Sequence, residues 1–577
     1  MPYDRVLQEN IEFSKLEQKV VALEEIQRLK KIKQNGFSYI LYPDARNNRF
    51  DHSVGTMYWA SHLFNSVSRR DNSLDADDLQ ALRLAALVHD AGHGPFSHAI
   101  EILFDRNPEL LDVEPWSVFR KEYGNRNPHE LVTLDFLDST LKEILPSKTW
   151  RKVGDILRKE SSLSILISGD LDADRLDYLT RDSHYSGLPF GFNVKPVFNQ
   201  LIQQDLQINK RDSGYFLLID HKGVPAFEQL MLARYSHYYY IAYRPEILLA
   251  NLFFVSELEK SLWEKIGNSK KIARTIFYIF SELTDERLLE LDFSDVDDDE
   301  KRELLEKIDT SSLSRSFEEL RRSRLVRKPR FIRLAYLGKN TTYNFFKRRT
   351  TNIKELEEAV STRLGGLEVK MYFCMPSALS TRTCVFDRDV PATYRPAFIY
   401  DYSPVVRALE QKMYLDCGIV VLSSKRVSRE RMVKAFAEIT RGKSDFDWYT
   451  YAIPNYIREV RNSLPKDEQK WKLRRTSIYK FLCSFTGEFF EERKIEKQIE
   501  FEAPWYSEEA YEILQKLEFL DVLDEDFNLS AGNGFIPCYA YSMGEYAEQL
   551  LQLVSLSKEE KHAIETHIAD YVRRAPP

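Results

Sequence analysis

The sequence has few cysteines and no long apolar segment. Its 577 residues include five cysteines, which lie scattered in the second half of the chain without a CxxC pair. This pattern argues against a disulfide framework and a thiolate zinc site, and it is typical of the reducing cytosol. The first residues, MPYDRVLQEN, show no signal-peptide core, and no apolar run approaches the roughly 20 residues of a membrane span. We therefore expect a cytoplasmic protein without a membrane partner.

The chain also lacks a large charge of either sign. Its formal net charge of −7 gives no general attraction to nucleic acid or to an anionic membrane, so an anionic ligand would need a local basic site. Hydrophobic residues make up 43% of the chain, which is sufficient for sizeable cores. The length predicts about two to four domains.

The periodicity of apolar residues predicts a mainly α protein with three regions. Residues 1–290 are mostly helical by pattern, with a hairpin predicted near residues 206–220. Residues 291–445 combine a helical segment with short β-type runs such as GLEVKMYF and CGIVVL, which predicts an α+β regulatory or assembly region. Residues 446–577 return to helix-rich patterns and predict a helical domain. Its segment YSEEAYEILQKLEFLDVLDEDFNLS is typical of the end of a winged-helix unit.

Histidines are concentrated in the segment HDAGHGPFSH at residues 89–98, which holds three of the eleven in the chain. His89 and Asp90 stand together at the end of a predicted helix. Neutral imidazole and carboxylate groups suit a mid-series divalent metal. Two other helical segments offer the same ligand types. The four side chains that predict a His2Asp2 metal site are His52, His89, Asp90 and Asp174.

Four motifs in a fixed order carry a resemblance to a known family. They are NRFDHSVG, LAALVHDAGHGPFSH, NPHE and DLDADRLDYLTRD, and the upstream segment IQRLKKIKQNGFSYILYPDARNNRF fits the same group. Over about residues 11–245 the chain resembles the HD-domain phosphohydrolases. More narrowly, it resembles the deoxynucleoside triphosphate (dNTP) triphosphohydrolases of the SAM-and-HD-domain type and their bacterial dGTPase-like relatives. The resemblance implies a helical HD-domain core, dNTP substrates, a divalent metal and a nucleotide-regulated dimer or tetramer.

The same resemblance implies a role for each matching side chain. The four metal ligands are those given above. His93 would be a catalytic acid or base supported by His129 and by Glu101, which replaces the more usual Asp. His98 would lie beside the scissile bond at the α-phosphorus. The side chains that would bind the phosphates are Arg49, Arg175 (usually Lys) and Arg234. The side chains that would face the sugar are Gln34, Tyr178 and Asp182.

The chemistry of these residue types agrees with triphosphate cleavage. A triphosphate brings about four negative charges into a cleft, which arginines and a divalent ion can balance. The ion would polarise a phosphoryl oxygen and orient a water molecule. A histidine titrating near neutrality suits protonation of the 5′-oxygen leaving group. The ligand set suits Mn, Fe, Co or Zn, and Mg could join the phosphates.

The sequence departs from the family pattern at a few positions. Where guanine-activated relatives carry an Asp and an Arg, this chain has Ala22 and Lys30, which leaves open whether and which nucleotide activates it. Asn35 stands at a position commonly Leu beside the sugar, so selection between deoxyribose and ribose is also open. Ala242 replaces an expected aromatic residue, for which Tyr240 or Tyr243 could substitute.

Three functions remain in competition. The leading one is metal-dependent hydrolysis of dNTPs to deoxynucleoside and triphosphate, with dGTP a common preference among bacterial relatives. The second is an HD phosphodiesterase or nuclease acting on cyclic nucleotides or oligonucleotides, which the basic stretch at 321–333 favours and the acidic net charge disfavours. The third is a nucleotide-sensing assembly protein. Depletion of dNTPs would starve a replicating virus, which makes antiviral defence a hypothesis for the biological role.

Other polar residues near the motifs have simpler interpretations. His62 and His237 are predicted to be packing or surface residues. Arg181 is predicted to pair with Asp177 at i and i+4. The carboxylates predicted to start a helix rather than to bind metal are Asp170 and Asp172.

Overall fold

The computed structural model describes most of the first 308 residues and parts of the remainder. The described residues are 3–69, 73–193, 198, 201–207, 213–290, 293, 296, 298–308, 331–333, 353–374, 383–386, 397–409, 418–423, 427, 428, 431, 432, 435, 445–463, 473, 474, 478, 481, 482, 485, 523–529, 537–543 and 556–574. The chain divides into two compact units. One is Met1–Arg333 with Asn352–Val427, and the other is Leu334–Thr351 with Ser428–Pro577. The three regions drawn from the sequence stay a prediction.

Helices dominate the first unit, so the predicted mainly α fold is confirmed. In chain order they are α1 (Lys15–Val21), α2 (Glu24–Arg28), α3 (Arg49–Ser68), α4 (Ala76–Val88), α5 (His98–Arg106), α6 (Trp116–Tyr123), α7 (Pro128–Phe136), α8 (Lys142–Ile144), α9 (Ser147–Leu157), α10 (Ala173–Ser186), α11 (Val224–His237), α12 (Pro245–Lys265), α13 (Ser269–Glu282), α14 (Asp285–Glu290), α15 (Asp299–Glu306), α16 (Ile353–Arg363) and α17 (Ile399–Tyr402).

Local sequence signals fix the ends of the helices that matter for the site. Helix α4 begins at a capping box in which Asp75 and Asp78 each accept a hydrogen bond from the backbone N–H of the other. Helix α10 begins after Asp172, whose side chain accepts from the N–H of Arg175, and it ends at Gly187 in the left-handed region. Helix α3 packs against both α4 and α10 over a continuous apolar core.

Two small sheets complete the first unit. Strands β3 (Leu201–Gln207) and β4 (Ser213–Asp220) form the predicted antiparallel hairpin, in which Gln207 pairs with Ser213. Strand β4 also pairs in parallel with β7 (Thr383–Phe386), which is followed in the sheet by β8 (Ala397–Phe398). The second sheet is antiparallel, with β9 (Gly418–Ser423) between β5 (Phe331–Arg333) and β6 (Val369–Cys374). A short pairing joins β1 (Tyr3–Asp4) to β2 (Glu9–Asn10).

The second unit is described only in part. Its helices α18 (Asp445–Ser463) and α19 (Lys558–Arg574) pack against each other. Strand β12 (Pro537–Met543) lies between β10 (Leu473–Arg474) and β11 (Leu523–Leu529). The helical part of the predicted winged-helix segment and residues 321–330 of the basic stretch lie outside the described residues. Among the described residues, no helix combines the length and the apolar character that a membrane crossing requires.

Candidate metal centre and active site

The four predicted metal ligands lie together, although three different helices supply them. His52 is in the first turn of α3, His89 and Asp90 directly follow α4, and Asp174 is in the first turn of α10. His52 Nε2 lies 3.1 Å from Asp174 Oδ1 and 3.4 Å from Asp90 Oδ2. His89 Nε2 lies 3.4 Å from Asp90 Oδ1 and 3.9 Å from Asp174 Oδ1. His52, His89 and Asp174 each place one ligand atom within 4.8 Å of the others, close enough for ligands of one divalent ion. Asp90 meets His52 and His89 through different carboxylate oxygens.

Hydrogen bonds fix the tautomer of both histidines. His52 Nδ1 lies 2.9 Å from the Asp177 carboxylate, and His89 Nδ1 lies 2.7 Å from the carbonyl oxygen of Ala86. Both partners can only accept, so each Nδ1 carries a hydrogen and donates. The two Nε2 atoms, which point at the carboxylates of the site, are buried and have no hydrogen-bond partner. A metal-ligating histidine is held in this way, with its second nitrogen bonded to an acceptor.

The carboxylates make the site strongly favourable for positive charge. Burial lowers the pKa of His52, but the neighbouring carboxylates of Asp174 and Asp177 raise it by more, to about 10. Burial by itself would raise the pKa of Asp90. The nearby Arg49 guanidinium nevertheless holds the pKa of that carboxyl well below its usual range. The anionic carboxylates and the orphaned imidazole nitrogens together fit a divalent cation.

Asp177 ties the ligand His52 to a buried ion-pair network. Its carboxylate accepts from His52 and, at 2.9 Å, from Arg181, and Arg181 also reaches Asp4 at 2.8 Å. The pairing of Arg181 with Asp177 is the one that the sequence predicts. Gly55 lies against this network, because a Cβ atom there would stand 1.7 Å from Asp177 Oδ1 and 2.6 Å from Arg181 Nη2. Only glycine leaves room for the Asp177 carboxylate at this point.

Substitution of Gly55 by alanine should destabilise the protein and weaken metal retention. The added methyl group must displace Asp177 from His52 and Arg181, which separates a buried ion pair, and we expect a loss of about 3 kcal/mol in the free energy of unfolding. Chemical denaturation and metal analysis of the purified variant measure both effects. Asn65→Ala, an exposed change on the same helix α3, is the matched control. Wild-type stability and metal content in Gly55→Ala would contradict the assignment.

A second group of titratable side chains lies beside the ligands. His98 Nδ1 donates to Glu101 Oε2 at 2.9 Å, and His129 Nδ1 donates to Glu101 Oε1. The rings of His93 and His129 stack with their centroids 4.0 Å apart. Burial lowers the pKa of His93 well below its ordinary value, with Arg49 acting in the same direction. The side chain of His98 is 66% exposed and that of His93 only 1%, so the two predicted reaction histidines differ sharply in access to a ligand.

The backbone between these two groups of side chains is strained and clamped. Phe96 and Ser97 have φ of 58° and 56°, which is unusual for residues other than glycine. The N–H of Phe96 donates to Asp285 at 2.7 Å, and the Ser97 hydroxyl donates to the carbonyl of Lys33 at 2.7 Å. The half-buried Arg28 donates to the carbonyls of Ala91 and His93. These bonds hold the turn that joins His93 to His98.

On another wall of the site, Asp182 is fully buried and hydrogen-bonded through both carboxylate oxygens. Asn47 Nδ2 donates to Oδ1 at 2.8 Å, and His237 Nε2 lies 2.8 Å from Oδ2. The ring of Tyr178 lies 4.9 Å from that of His237. His237 was expected only to pack or to lie at the surface, whereas the structure makes it the partner of Asp182. A carboxylate has about four acceptor positions, so Asp182 can still accept from a ligand hydroxyl.

The three predicted phosphate-binding arginines are placed differently. Arg49 donates to Asp90 at 2.5 Å and to the Ser97 hydroxyl at 2.9 Å. Arg175 donates to Asp172, the residue that caps α10 as predicted, at 3.0 Å. Arg234 is buried, with its guanidinium 5.5 Å from the centre of the Tyr238 ring. Each guanidinium has five N–H donors, so these contacts leave further donors on Arg49 and Arg175.

One cavity of about 610 Å³ brings most of these groups together. It is lined by the residues predicted from sequence except for two. His52 lies buried below its surface, and Arg234 lies against Tyr238, which does line it. The predicted residues on its wall are Gln34, Arg49, His89, Asp90, His93, His98, Glu101, His129, Asp174, Arg175, Tyr178 and Asp182.

Several residues of the site carry no recognisable signal in the sequence. Asn47 and His237 hold Asp182, and Arg28 and Asp285 hold the strained turn. In a single sequence, Arg28 is one cation of a basic helical segment and Asp285 one acid of an acidic segment, and such charges are usually solvated. Their partners are backbone groups of distant segments, which only the folded chain brings within reach.

Several known proteins are similar to this chain. Residues 49–180 match the family model of the HD domain. An uncharacterized protein of Methanocaldococcus jannaschii is 30% identical over 267 residues, which is 46% of this chain and 51% of that protein. The mouse deoxynucleoside triphosphate triphosphohydrolase SAMHD1 is 26% identical over 364 residues, 56% of this chain and 55% of that protein. A crystal structure of a phosphohydrolase from Bacteroides thetaiotaomicron has a TM-score of 0.48 at 21% identity. The alignment covers 74% of this chain and 99% of that protein.

The match over residues 49–180 shows the HD domain that the four motifs predict. The chain spans about half the length of the curated relatives that it matches.

Proposed function

We propose that the protein is a metal-dependent phosphohydrolase that cleaves dNTPs to deoxynucleoside and triphosphate. The observation that carries the proposal is a single cavity with a His/Asp ligand group on one wall and Asp182 with Tyr178 on another. Its volume of about 610 Å³ lies in the range of small-molecule sites. The HD domain and the triphosphohydrolase name of the mouse relative support the same reaction class.

The metal would be held by the four ligands described above. Bound there, a divalent ion acts as a Lewis acid and lowers the pKa of a water molecule. Asp177 fixes the orientation of His52, and the carbonyl of Ala86 fixes that of His89. These bonds keep both Nε2 lone pairs directed at the same point. The donor set suits Mn, Fe, Co or Zn more than Mg.

The polyanion would be bound by the cationic side of the cavity. Arg49 and Arg175 line it, and each keeps N–H donors beyond those used for Asp90 and Asp172. Arg234 adds positive charge next to Tyr238. Asp182, held by two neighbours, is preorganised to accept a hydrogen bond from the 3′-hydroxyl, and Gln34 and Tyr178 lie on the cavity wall as further sugar contacts.

The proton for the leaving group would come from His98. Water attacks the α-phosphorus, the bond from phosphorus to O5′ breaks, and O5′ takes up a proton. His98 is the accessible histidine of its cluster, and Glu101 accepts from its Nδ1, which presents Nε2 as the proton-transferring atom. His93, His129 and Glu101 form the buried support behind it.

Product analysis in isotopically labelled water tests the proposal. Each dNTP and NTP is incubated with the protein and Mn²⁺ in H₂¹⁸O, and products are separated and weighed by mass spectrometry. We expect deoxynucleoside without label and triphosphate carrying one ¹⁸O atom. A monophosphate with pyrophosphate, or no product, would refute it. The NTP series measures whether the Asn35 side chain, whose Nδ2 is buried on the cavity wall, permits a 2′-hydroxyl. Labelled single-stranded DNA and RNA in parallel test the nuclease alternative, since a triphosphohydrolase leaves both intact.

We further propose that the active form is a homo-oligomer under nucleotide control and that it limits cellular dNTP pools, with dGTP as the first substrate to test. Lys30, whose ammonium donates to Gln27 at 2.7 Å and lies 4.6 Å from the centre of the Phe50 ring, stands at the position where the family resemblance implies an activator-binding Arg. Antiviral depletion of dNTPs is the biological role that follows from such an activity.

A further inference from the structure

The cluster next to the predicted metal ligands has the composition of a second cation site. His93, His98, Glu101 and His129 each offer one ligand atom, and all four atoms lie within 4.8 Å of one another. Three of these side chains are screened from solvent, and only that of His98, at 66%, is largely exposed. Imidazoles with one carboxylate form a common donor set for Zn, Mn, Fe and Co.

The orientation of His93 gives the decisive observation. Its Nε2 lies 3.4 Å from Asp90 Oδ1, so the N–H on that atom faces a carboxylate. The lone pair of the ring is then on Nδ1. This atom is buried, has no hydrogen-bond partner and lies 3.9 Å from Glu101 Oε1. A carboxylate that fixes one ring nitrogen while the other faces a ligand group is the arrangement of metal-binding histidines.

We propose that His93, Glu101 and His129 bind a second divalent cation next to the first. Three protein ligands leave positions open for water or for oxygens of the triphosphate, as in catalytic rather than structural sites. The two sites are linked through Asp90, which is a predicted ligand of the first and lies 3.4 Å from Nε2 of His93 in the second. His98 stays outside the ligand set as the accessible histidine at the edge.

Binding at this site changes the protonation of His129. In the structure His129 Nδ1 donates to Glu101, and an ion would replace that contact by two metal–ligand bonds. The Nδ1 hydrogen of a neutral ring would move to Nε2, whereas an imidazolium would release it to solvent. The inference rests on the metal-dependent character of the proposed function and adds a second counter-charge for the same triphosphate. If no second ion binds, the three side chains remain the proton-transferring support of His98.

Metal counting tests the inference without any substrate. The full chain is stripped with a chelator, reloaded with Mn²⁺ or Zn²⁺, freed of excess by gel filtration and analysed by inductively coupled plasma mass spectrometry. We expect two ions per chain in the wild type and one in His129→Ala and in Glu101→Gln. His89→Ala should also hold one ion, and the His89→Ala/His129→Ala double variant none. A wild-type count of one, or two ions retained by His129→Ala, would overturn the proposal.

Two controls separate this result from adventitious binding and from the proposed reaction. His62→Ala removes an exposed histidine of α3, and His98→Ala removes the one at the edge of the cluster; both should keep two ions. A lower thermal unfolding midpoint of His129→Ala would show that this variant is misfolded. The number of ions is then taken from Glu101→Gln. A wild type that holds two ions but releases no triphosphate from dNTPs would refute the proposed reaction and leave the second site standing.

Discussion

Substitution of Asp90 by alanine is expected to abolish activity together with metal retention at the site of His52, His89 and Asp174. Asp90 lies against two of the other predicted ligands, with one oxygen 3.4 Å from His89 and the other 3.4 Å from His52. Loss of a metal that contributes several kcal/mol to transition-state stabilisation lowers the rate by about 10³-fold or more. Metal analysis of the purified variant and the rate of triphosphate release measure the two effects. We expect both to fall in the same sample.

A second variant keeps this result interpretable. Removal of Asp90 leaves the buried Arg49 without its carboxylate partner, which costs stability in addition to metal. His89→Ala removes a neutral ligand and keeps the ion pair of Arg49 with Asp90. It should therefore lose the ion of this site and the activity, with a smaller loss of stability than Asp90→Ala. Asp77→Ala, an exposed carboxylate on α4, is the control and should resemble the wild type. Full activity of His89→Ala with normal metal content would exclude this metal site.

Substitution of His98 by alanine is expected to separate catalysis from metal binding. His98 is not a ligand of the first site, and its side chain is largely exposed. Loss of a general acid typically lowers kcat by about 10²–10⁴-fold. The metal content should equal that of the wild type, because the ligand atoms and their hydrogen bonds to Asp177 and Ala86 are untouched.

The kinetic pattern distinguishes proton transfer from substrate positioning. A residue that acts only in the transition state lowers kcat and kcat/KM equally, whereas one that only binds substrate raises KM. We expect the first pattern for His98→Ala and the wild-type pattern for His62→Ala. A wild-type rate in His98→Ala would remove this residue from the site, and an isolated increase in KM would make it a binding residue.

The fold of the first unit follows closely from local sequence. The helical periodicities of the RFDHSVG and DDLQALRL segments correspond to α3 and α4, and the hairpin expected near residues 206–220 corresponds to β3 and β4. These elements have strong local signals, because the apolar spacing, caps and turns act within a few residues. The parallel pairing of β4 with β7 had no such signal, since it joins strands far apart in sequence.

In the candidate site, too, some residues could be predicted from the sequence and others could not. Motif order identified the residue types and placed His52, His89, Asp90 and Asp174 as one group, and the structure brings these four together. The partners that orient them were invisible in the sequence. Asp177 on His52, Asn47 and His237 on Asp182, and Asp285 on Phe96 are ordinary polar residues until the chain is folded.

The sequence by itself determined that this protein is mainly helical and carries an HD domain, because periodicity and motif spacing are written in consecutive residues. Only the tertiary structure decided which nitrogen of each histidine is free, because that depends on acceptors from distant segments. The tertiary structure also decided that His93 is buried and His98 exposed, although the two are five residues apart in one motif. The strained turn at Phe96–Ser97, clamped from α14, directs the two side chains into different surroundings.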